Sequence, residues 1–166
     1  MAVLPTAAVV KGEIADTFTG GAEHTFRHGH TYSGHPVGCA IALENIRLIE
    51  AENLAARAAE SGAYLLEGLQ SLSHHACFGG VRRKGMLIGL EQVLDKVMNA
   101  ATTPPGHIGN TFRLACRERG LILLPIHPGN VMLIAPPLNL PRTEIDQLIN
   151  IIDGALADTA VHYQKG

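Results

Sequence analysis

The amino-acid sequence predicts an α+β fold in which helices cover one face of a mainly antiparallel sheet. Hydrophobic residues make up 46% of the 166 residues, which is enough apolar material for a compact core. From residue 36 onward, amphipathic stretches with a helical period alternate with short β-like runs bounded by glycine and proline. The resulting order is helix, strand, helix, strand, strand, helix, which is typical of a layered α+β domain.

The first part of the chain combines a short apolar run, an irregular segment and a helix. Residues 3–10, VLPTAAVV, predict a buried strand that becomes regular after its proline. Residues 13–34 show no periodicity and are rich in glycine, histidine and threonine, so we expect a long loop. Pro36 suits the first position of a helix over residues 36–50, with Cys39 on its buried face.

Three further amphipathic stretches predict helices over residues 52–71, 108–119 and 141–163, and the first of these is either a separate helix or the second half of one long bent helix over residues 36–72. In the first of them, Gly62 and Gly68 are expected to be weak points, because glycine lowers helix propensity. Gly120 is expected to end the second, since glycine readily adopts the left-handed conformation that follows a helix.

Short β-like runs predict the strands of the sheet, at residues 81–93, 121–124 and 131–135. Gly85 and Gly89 interrupt the first run. A glycine inside a strand pattern indicates a bulge or a close approach of another backbone.

Charge and cysteine content argue against several classes of protein. The formal net charge is −2, so no large positive excess is available to hold a nucleic acid or an anionic membrane surface. No apolar stretch approaches the roughly 20 residues that a membrane-spanning helix needs. The three scattered cysteines do not form a disulfide pattern, which fits a reducing compartment, and we expect a cytoplasmic protein.

The segment GHTYSGHP, residues 29–36, contains the most informative motif. Its glycines let backbone amides turn toward a ligand, Thr31 and Ser33 offer hydroxyls, and the helix that opens at Pro36 adds a positive dipole end. Such a loop can bind phosphate, or it can simply connect two elements and cap the helix. Ser33 lacks the G-x-S-x-G pattern of a hydrolase nucleophile.

Four histidines in and before this loop suggest a metal site as an alternative: His24, His28, His30 and His35. Their spacing matches none of the strong zinc patterns, so we assign no metal ligands.

Several blocks of the sequence together resemble the C-terminal portion of class III (omega-amino acid) pyridoxal-phosphate-dependent aminotransferases. They are GHTYSGHPVGCAIALENIRLIEAENL, VRRKGMLIGLE, RERGLILLP and VMLIAPPLNLPRTEIDQLI, in the family's order. The resemblance implies that loop 28–36 reaches across a homodimer. It also implies that the Thr31 hydroxyl and the His30 amide bind the phosphate of the partner's pyridoxal phosphate.

The same resemblance implies the type I pyridoxal-phosphate fold, with residues 1–51 as the end of the large domain and residues 52–166 as the small C-terminal domain. Catalysis in this family needs a lysine that holds the cofactor aldehyde and moves protons. The resemblance places this lysine before Met1, so we assign no catalytic residue. Leu124 lies nearest to the position where many relatives have an arginine for the substrate carboxylate.

Three hypotheses follow. The first is a truncated class III aminotransferase that is inactive alone, and the second is a non-catalytic dimerisation or assembly module that pairs with itself or with a full-length transaminase. The third is a protein that binds metal through the histidines of its loop.

Overall fold

The computed structural model describes residues 6–94, Lys96 and residues 106–164. It divides into two compact units, Met1–Glu52 and Asn53–Gly166. None of the helices in the described part of the chain is both long and apolar enough to cross a membrane.

The described residues of the first unit form two α-helices and a short 3₁₀ turn. Helix α1 spans Gly12–Asp16, the 3₁₀ turn Ala22–His24 and helix α2 Pro36–Ala51. The strand predicted for residues 3–10 is wrong over residues 6–10, which adopt no regular structure, and residues 3–5 lie outside the described residues. A strand needs a neighbouring strand to accept its backbone hydrogen bonds. No described residue pairs with this run, whose Val9 is 93% exposed.

The second unit is built on a four-stranded antiparallel sheet. Strands β1, β2, β3 and β4 span Phe78–Lys84, Leu87–Gln92, Leu124–Ile126 and Val131–Ile134, and their order in the sheet is β1-β2-β4-β3. The predicted run 81–93 is therefore two strands of a hairpin. Of the two features expected at Gly85 and Gly89, the bulge is wrong, because the register shifts between Phe78 and Gly80 instead. The close backbone approach is confirmed at Gly85, whose carbonyl group leaves no room for a Cβ at Gly62. Gly85 has a φ of +56° and forms the turn between the strands.

The described residues of this unit also form three α-helices, α3 (Leu54–Ser71), α4 (His107–Glu118) and α5 (Arg142–Gln164), and a 3₁₀ turn, Leu72–His74. The sheet buries one face against them, because alternate strand residues such as Ile88 and Met132 belong to the same core cluster as residues of all three helices. The predicted α+β class is confirmed. Helix α4 ends as predicted at Gly120, where the Leu121 N–H donates to the Cys116 carbonyl over 2.9 Å.

Strand β3 differs from its prediction in position. The apolar run at 121–124 suggested a strand there, but the strand comprises Leu124–Ile126. Leu121 lies after helix α4, and its N–H is already used by the Cys116 carbonyl at the end of that helix. The hydrogen bonds that end a helix therefore delay the start of the strand.

Candidate functional site

The candidate site is the loop at residues 28–36, which a tight turn and a helix cap hold in shape. The Ser33 N–H donates to the His30 carbonyl over 3.0 Å, and the His30 N–H donates to Ser33 Oγ over 3.1 Å. Two hydrogen bonds thus join residues 30 and 33 and place Thr31 and Tyr32 at the apex of the turn. Gly34 closes the turn with a φ of +71°, a conformation that glycine adopts without strain.

His35 links this turn to helix α2. It is the N-cap residue, and its Nδ1 accepts a hydrogen bond from the Gly38 N–H at 3.3 Å. Because that N–H is a donor, Nδ1 carries a lone pair and the proton of the neutral ring is on Nε2. Pro36 follows at the first helical position, as the sequence predicts. The loop therefore leads directly into the positive end of a 16-residue helix.

The two predicted phosphate contacts, Thr31 and His30, differ in whether they already make a hydrogen bond. Thr31 is exposed, and its hydroxyl has no hydrogen-bond partner among the described residues. The amide of His30, by contrast, already donates to Ser33 Oγ. The sequence offered the Ser33 hydroxyl only as a possible ligand group, and its bond to the His30 amide, a predicted cofactor contact, is the feature that sequence reasoning missed. A serine three residues after a donor in a glycine-bounded turn is the signal that could have revealed it.

Aromatic rings line up on the chain segment that enters the loop. Ring centroids are 5.1 Å apart for Phe18 and Phe26, 5.4 Å for Phe26 and His28, and 5.1 Å for His28 and His30. These distances lie in the range where ring pairs attract each other. His28 and His30 thus contact each other edge to face, at an interplanar angle of 87°. The one group of three metal-ligand residues found among the described residues contains none of them.

Helix α2 has no buried residue, and five of its large apolar side chains are exposed. They are Val37, Ile41, Leu43, Ile46 and Leu48. The expectation that Cys39 lies on a buried face is wrong, since this thiol is exposed. The amphipathic pattern was interpreted correctly as a helix, but the surface that its apolar face requires is not supplied within the described residues.

Leu124 and the lysines, none of which lies in the family's lysine motif, are distant from one another in sequence. Leu124, which stands near the expected position of a carboxylate-binding arginine, is 63% exposed in β3 and pairs with Leu133 of β4. Lys84 is exposed at the end of β1, and Lys96 Nζ donates to the Ser73 carbonyl over 2.6 Å. Lys165 lies outside the described residues.

The sequence model of the family Aminotransferase class-III matches residues 4–156. The chain belongs to the class III aminotransferase family. This confirms the resemblance found in the sequence, and class III aminotransferases depend on pyridoxal phosphate.

Two curated relatives illustrate the likeness. A putrescine–pyruvate aminotransferase of Pseudomonas aeruginosa is 39% identical over 153 residues, which cover 92% of this chain and 32% of that protein. An adenosylmethionine-8-amino-7-oxononanoate aminotransferase of Nitratidesulfovibrio vulgaris is 37% identical over 170 residues, covering 98% of this chain and 30% of that protein. This class III chain therefore spans about a third of the length of the curated relatives it matches.

Solved structures agree with the family. An (S)-enantioselective omega-transaminase from Thermomicrobium roseum superposes with a TM-score of 0.82 and 41% identity, covering 90% of this chain and 33% of that chain. A Bacillus anthracis aminotransferase gives a TM-score of 0.82 and 36% identity, with 90% and 34% of the two chains covered. The fold class expected for a class III aminotransferase is confirmed.

The chemistry of loop 28–36 fits the phosphate group of this cofactor. The Thr31 hydroxyl, the Ser33 hydroxyl and the His30 backbone amide are all hydrogen-bond donors, and phosphate offers only acceptors at neutral pH. An added Cβ at Gly29 or Gly34 would meet nothing within 4 Å, so an anion has room to approach the backbone there.

Proposed function

We propose that this chain acts as the C-terminal portion of a pyridoxal-phosphate-dependent aminotransferase and that loop 28–36 binds the phosphate of the cofactor. The observation that carries the proposal is the exposed Thr31 hydroxyl, which has no hydrogen-bond partner in the described part of the chain and lies at the apex of a turn that leads into the positive end of α2. When bound, pyridoxal phosphate supplies the electron sink for chemistry at the amine-bearing carbon. The part of this chain is to hold and orient the phosphate.

The binding step requires a local exchange of hydrogen bonds. The Thr31 hydroxyl can donate to a phosphate oxygen without losing any bond within the described residues. The His30 N–H has to leave Ser33 Oγ first, because one N–H cannot satisfy both acceptors at full strength. We infer that a phosphate oxygen replaces Ser33 Oγ as the acceptor. The exchange is favourable because a hydrogen bond to an anion is stronger than one to a neutral hydroxyl.

We further propose that residues 1–51 correspond to the end of the large domain and residues 52–166 to the small domain. The division into compact units at Glu52 supports this assignment. The exposed apolar side chains of α2, such as Ile41 and Leu43, support association with a second copy or with a full-length transaminase, since contiguous exposed apolar surface commonly marks an interface. Assembly without catalysis by this chain is the second candidate function.

Transamination by the chain alone is not expected. None of the lysines at positions 11, 84, 96 and 165 lies in the motif of the family's cofactor lysine. Leu124 cannot form the two-point ion pair with a carboxylate that an arginine provides. We therefore propose a preference for amines over omega-amino acids in any complete site to which this strand contributes.

Phosphate recognition is tested by titrating the 166-residue chain with pyridoxal phosphate and following its absorbance. We expect Thr31→Val to weaken binding about tenfold or more, because a hydrogen bond to a charged group is lost. Thr25→Val is the matched control, since Thr25 is also exposed in the first unit and its one hydrogen bond among the described residues, to the Ala22 carbonyl, comes from the backbone N–H, which valine keeps. Equal affinities for the two variants would contradict the assignment of Thr31.

Association and inactivity need separate measurements. Light scattering across concentration tests self-association, and a monomer at tens of micromolar would count against the assembly proposal. Borohydride reduction in the presence of pyridoxal phosphate, followed by peptide mapping, tests for a cofactor-bearing lysine. Covalent pyridoxyl on one lysine, together with turnover of an amine, would refute inactivity.

A further inference from the structure

Three side chains that commonly bind metals meet beside helix α5, far along the chain from loop 28–36. His74 and His75 lie at the end of the 3₁₀ turn Leu72–His74, and Asp153 lies on α5. One potential ligand atom from each of the three lies within 4.8 Å of the other two. His75 Nε2 and Asp153 Oδ1 are 2.6 Å apart, and the side chains are 12% and 48% exposed.

A backbone carbonyl fixes which ring nitrogen of His74 carries the proton. Its Nδ1 lies 3.1 Å from the Ser71 carbonyl oxygen, which can only accept a hydrogen bond. Nδ1 therefore carries the proton, and in the neutral ring Nε2 keeps a free lone pair. Histidines that bind metals almost always donate their other ring N–H to a carbonyl or carboxylate in this way.

The surrounding contacts also hold the two histidines in place. Their ring centroids are 4.2 Å apart at an interplanar angle of 36°. The carbonyl of Ser73, the residue before them, accepts a hydrogen bond from Lys96 Nζ. Cys77 is not available as a ligand, because it is buried and its thiol donates to the Leu156 carbonyl over 3.3 Å.

We propose that His74, His75 and Asp153 form a binding site for a divalent transition-metal ion of the zinc type. Two imidazoles with one carboxylate suit zinc, nickel or copper, whereas magnesium and calcium prefer all-oxygen sites. Three protein ligands leave a position open for water. The proposal concerns the second unit alone and does not depend on the function proposed for the loop.

Binding requires a small movement and the displacement of one proton. In a tetrahedral site with bonds of about 2.1 Å, ligand atoms are about 3.4 Å apart, so Asp153 Oδ1 has to move roughly 1 Å from His75 Nε2. Its half-exposed side chain has room to do so. The proton on His75 Nε2, which is hydrogen-bonded to the Asp153 carboxylate, is released to solvent when the metal takes that nitrogen, so zinc binding weakens as the pH falls. The nearby ammonium of Lys96 opposes the cation, and we expect micromolar affinity.

The bound ion would join the end of α3 to α5, which are distant in sequence. Zinc titration of the metal-free 166-residue chain against a chromogenic chelator measures the affinity. We expect one equivalent of Zn²⁺ for the wild type, and a loss of about tenfold or more for His74→Gln and for Asp153→Asn. His162→Gln removes an exposed histidine from the same helix and is expected to leave the affinity unchanged.

Thermal unfolding gives a second measurement and reports whether the variants fold. Zinc is expected to raise the unfolding midpoint of the wild type and of His162→Gln, but not that of Asp153→Asn. The amide introduced by Asp153→Asn keeps an oxygen that accepts the His75 N–H, so the metal-free fold should survive. Less than a tenth of an equivalent bound by the wild type, wild-type affinity in both ligand variants, or binding abolished by His30→Gln instead would each overturn the proposal.

Discussion

Gly62 in the middle of α3 lies against the backbone of the hairpin turn, so Gly62→Ala is expected to destabilise the second unit. A Cβ at this position would lie 2.0 Å from the Gly85 carbonyl oxygen and 2.6 Å from its carbon, whereas ordinary contact begins at 3.4 Å. Both atoms belong to the backbone, so no side-chain rotation relieves the overlap. Helix and turn would have to separate by roughly 1 Å or more.

The magnitude follows from two opposing effects. Replacing glycine by alanine inside a helix contributes about 1 kcal/mol of stability through helix propensity. Overpacking a rigid contact costs about 1–3 kcal/mol, and a backbone overlap of this depth belongs at the upper end. We therefore expect a net loss of about 2 kcal/mol in the free energy of unfolding. Urea unfolding followed by far-ultraviolet circular dichroism measures it.

Gly154→Ala in α5 is the matched control. There the new Cβ would lie 2.9 Å from Arg119 Nε, the end of a flexible side chain that pairs with Asp158. Moving an exposed ion pair costs less than about 1 kcal/mol, so this variant should be neutral or slightly stabilised. If Gly62→Ala proved as stable as the wild type or as Gly154→Ala, the close approach of α3 to the hairpin turn would be refuted.

Two further predictions concern single side chains. Burial raises the pKa of Cys116 from 9.0 to about 12 and also raises the pKa of Cys77. In the folded protein, only the exposed Cys39 should therefore react with a thiol reagent at about pH 8. After denaturation all three cysteines should react. Because the folded state favours the neutral Cys116 thiol, the free energy of unfolding should fall as the pH rises above about 9, and rapid reaction of more than one native thiol would contradict the burial. Tyr64→Phe removes a 2.6 Å hydrogen bond to Asp146 and should lower the free energy of unfolding in urea by about 1 kcal/mol. Tyr32→Phe, at a 79% exposed position, should change it little. Equal effects of the two substitutions would argue against the hydrogen bond.

Local patterns predicted the helices well. The apolar period that begins at Pro36 and the glycine at position 120 indicated helix ends that the structure places within one or two residues. These signals are local, because a cap or a left-handed residue acts on the hydrogen bonds of its own turn. Gly62 shows where local inference fails. The sequence suggested a weak point in a helix, whereas the structure uses the missing side chain for a contact with Gly85, 23 positions along the chain.

The part of the site that depends on contiguous residues could be predicted from the sequence. The loop motif and the family resemblance predicted Thr31 and His30 as phosphate contacts from contiguous residues, and both remain predictions. The bond between the His30 amide and Ser33 Oγ depends on how the turn folds, and the sequence does not state it. The group of His74, His75 and Asp153 joins residues almost 80 positions apart, so no spacing pattern could have revealed it. The apolar run at residues 6–10 led to a false prediction rather than a missed feature. Its composition favoured a strand, but no described strand pairs with it.

Loop 28–36 belongs to a part of the molecule that has little burial to stabilise it. Isolated helices of about 15 residues are marginal in water, and α2, with 16 residues, has no buried residue. The turn that presents Thr31 is attached to this helix through the His35 cap. If a partner surface covers the apolar side chains of α2, it orders the helix and, with it, the turn. The affinity for pyridoxal phosphate should therefore rise with protein concentration in step with association. A charge at Ile41 in an Ile41→Asp variant should weaken both together, while an affinity independent of association would separate phosphate binding from assembly.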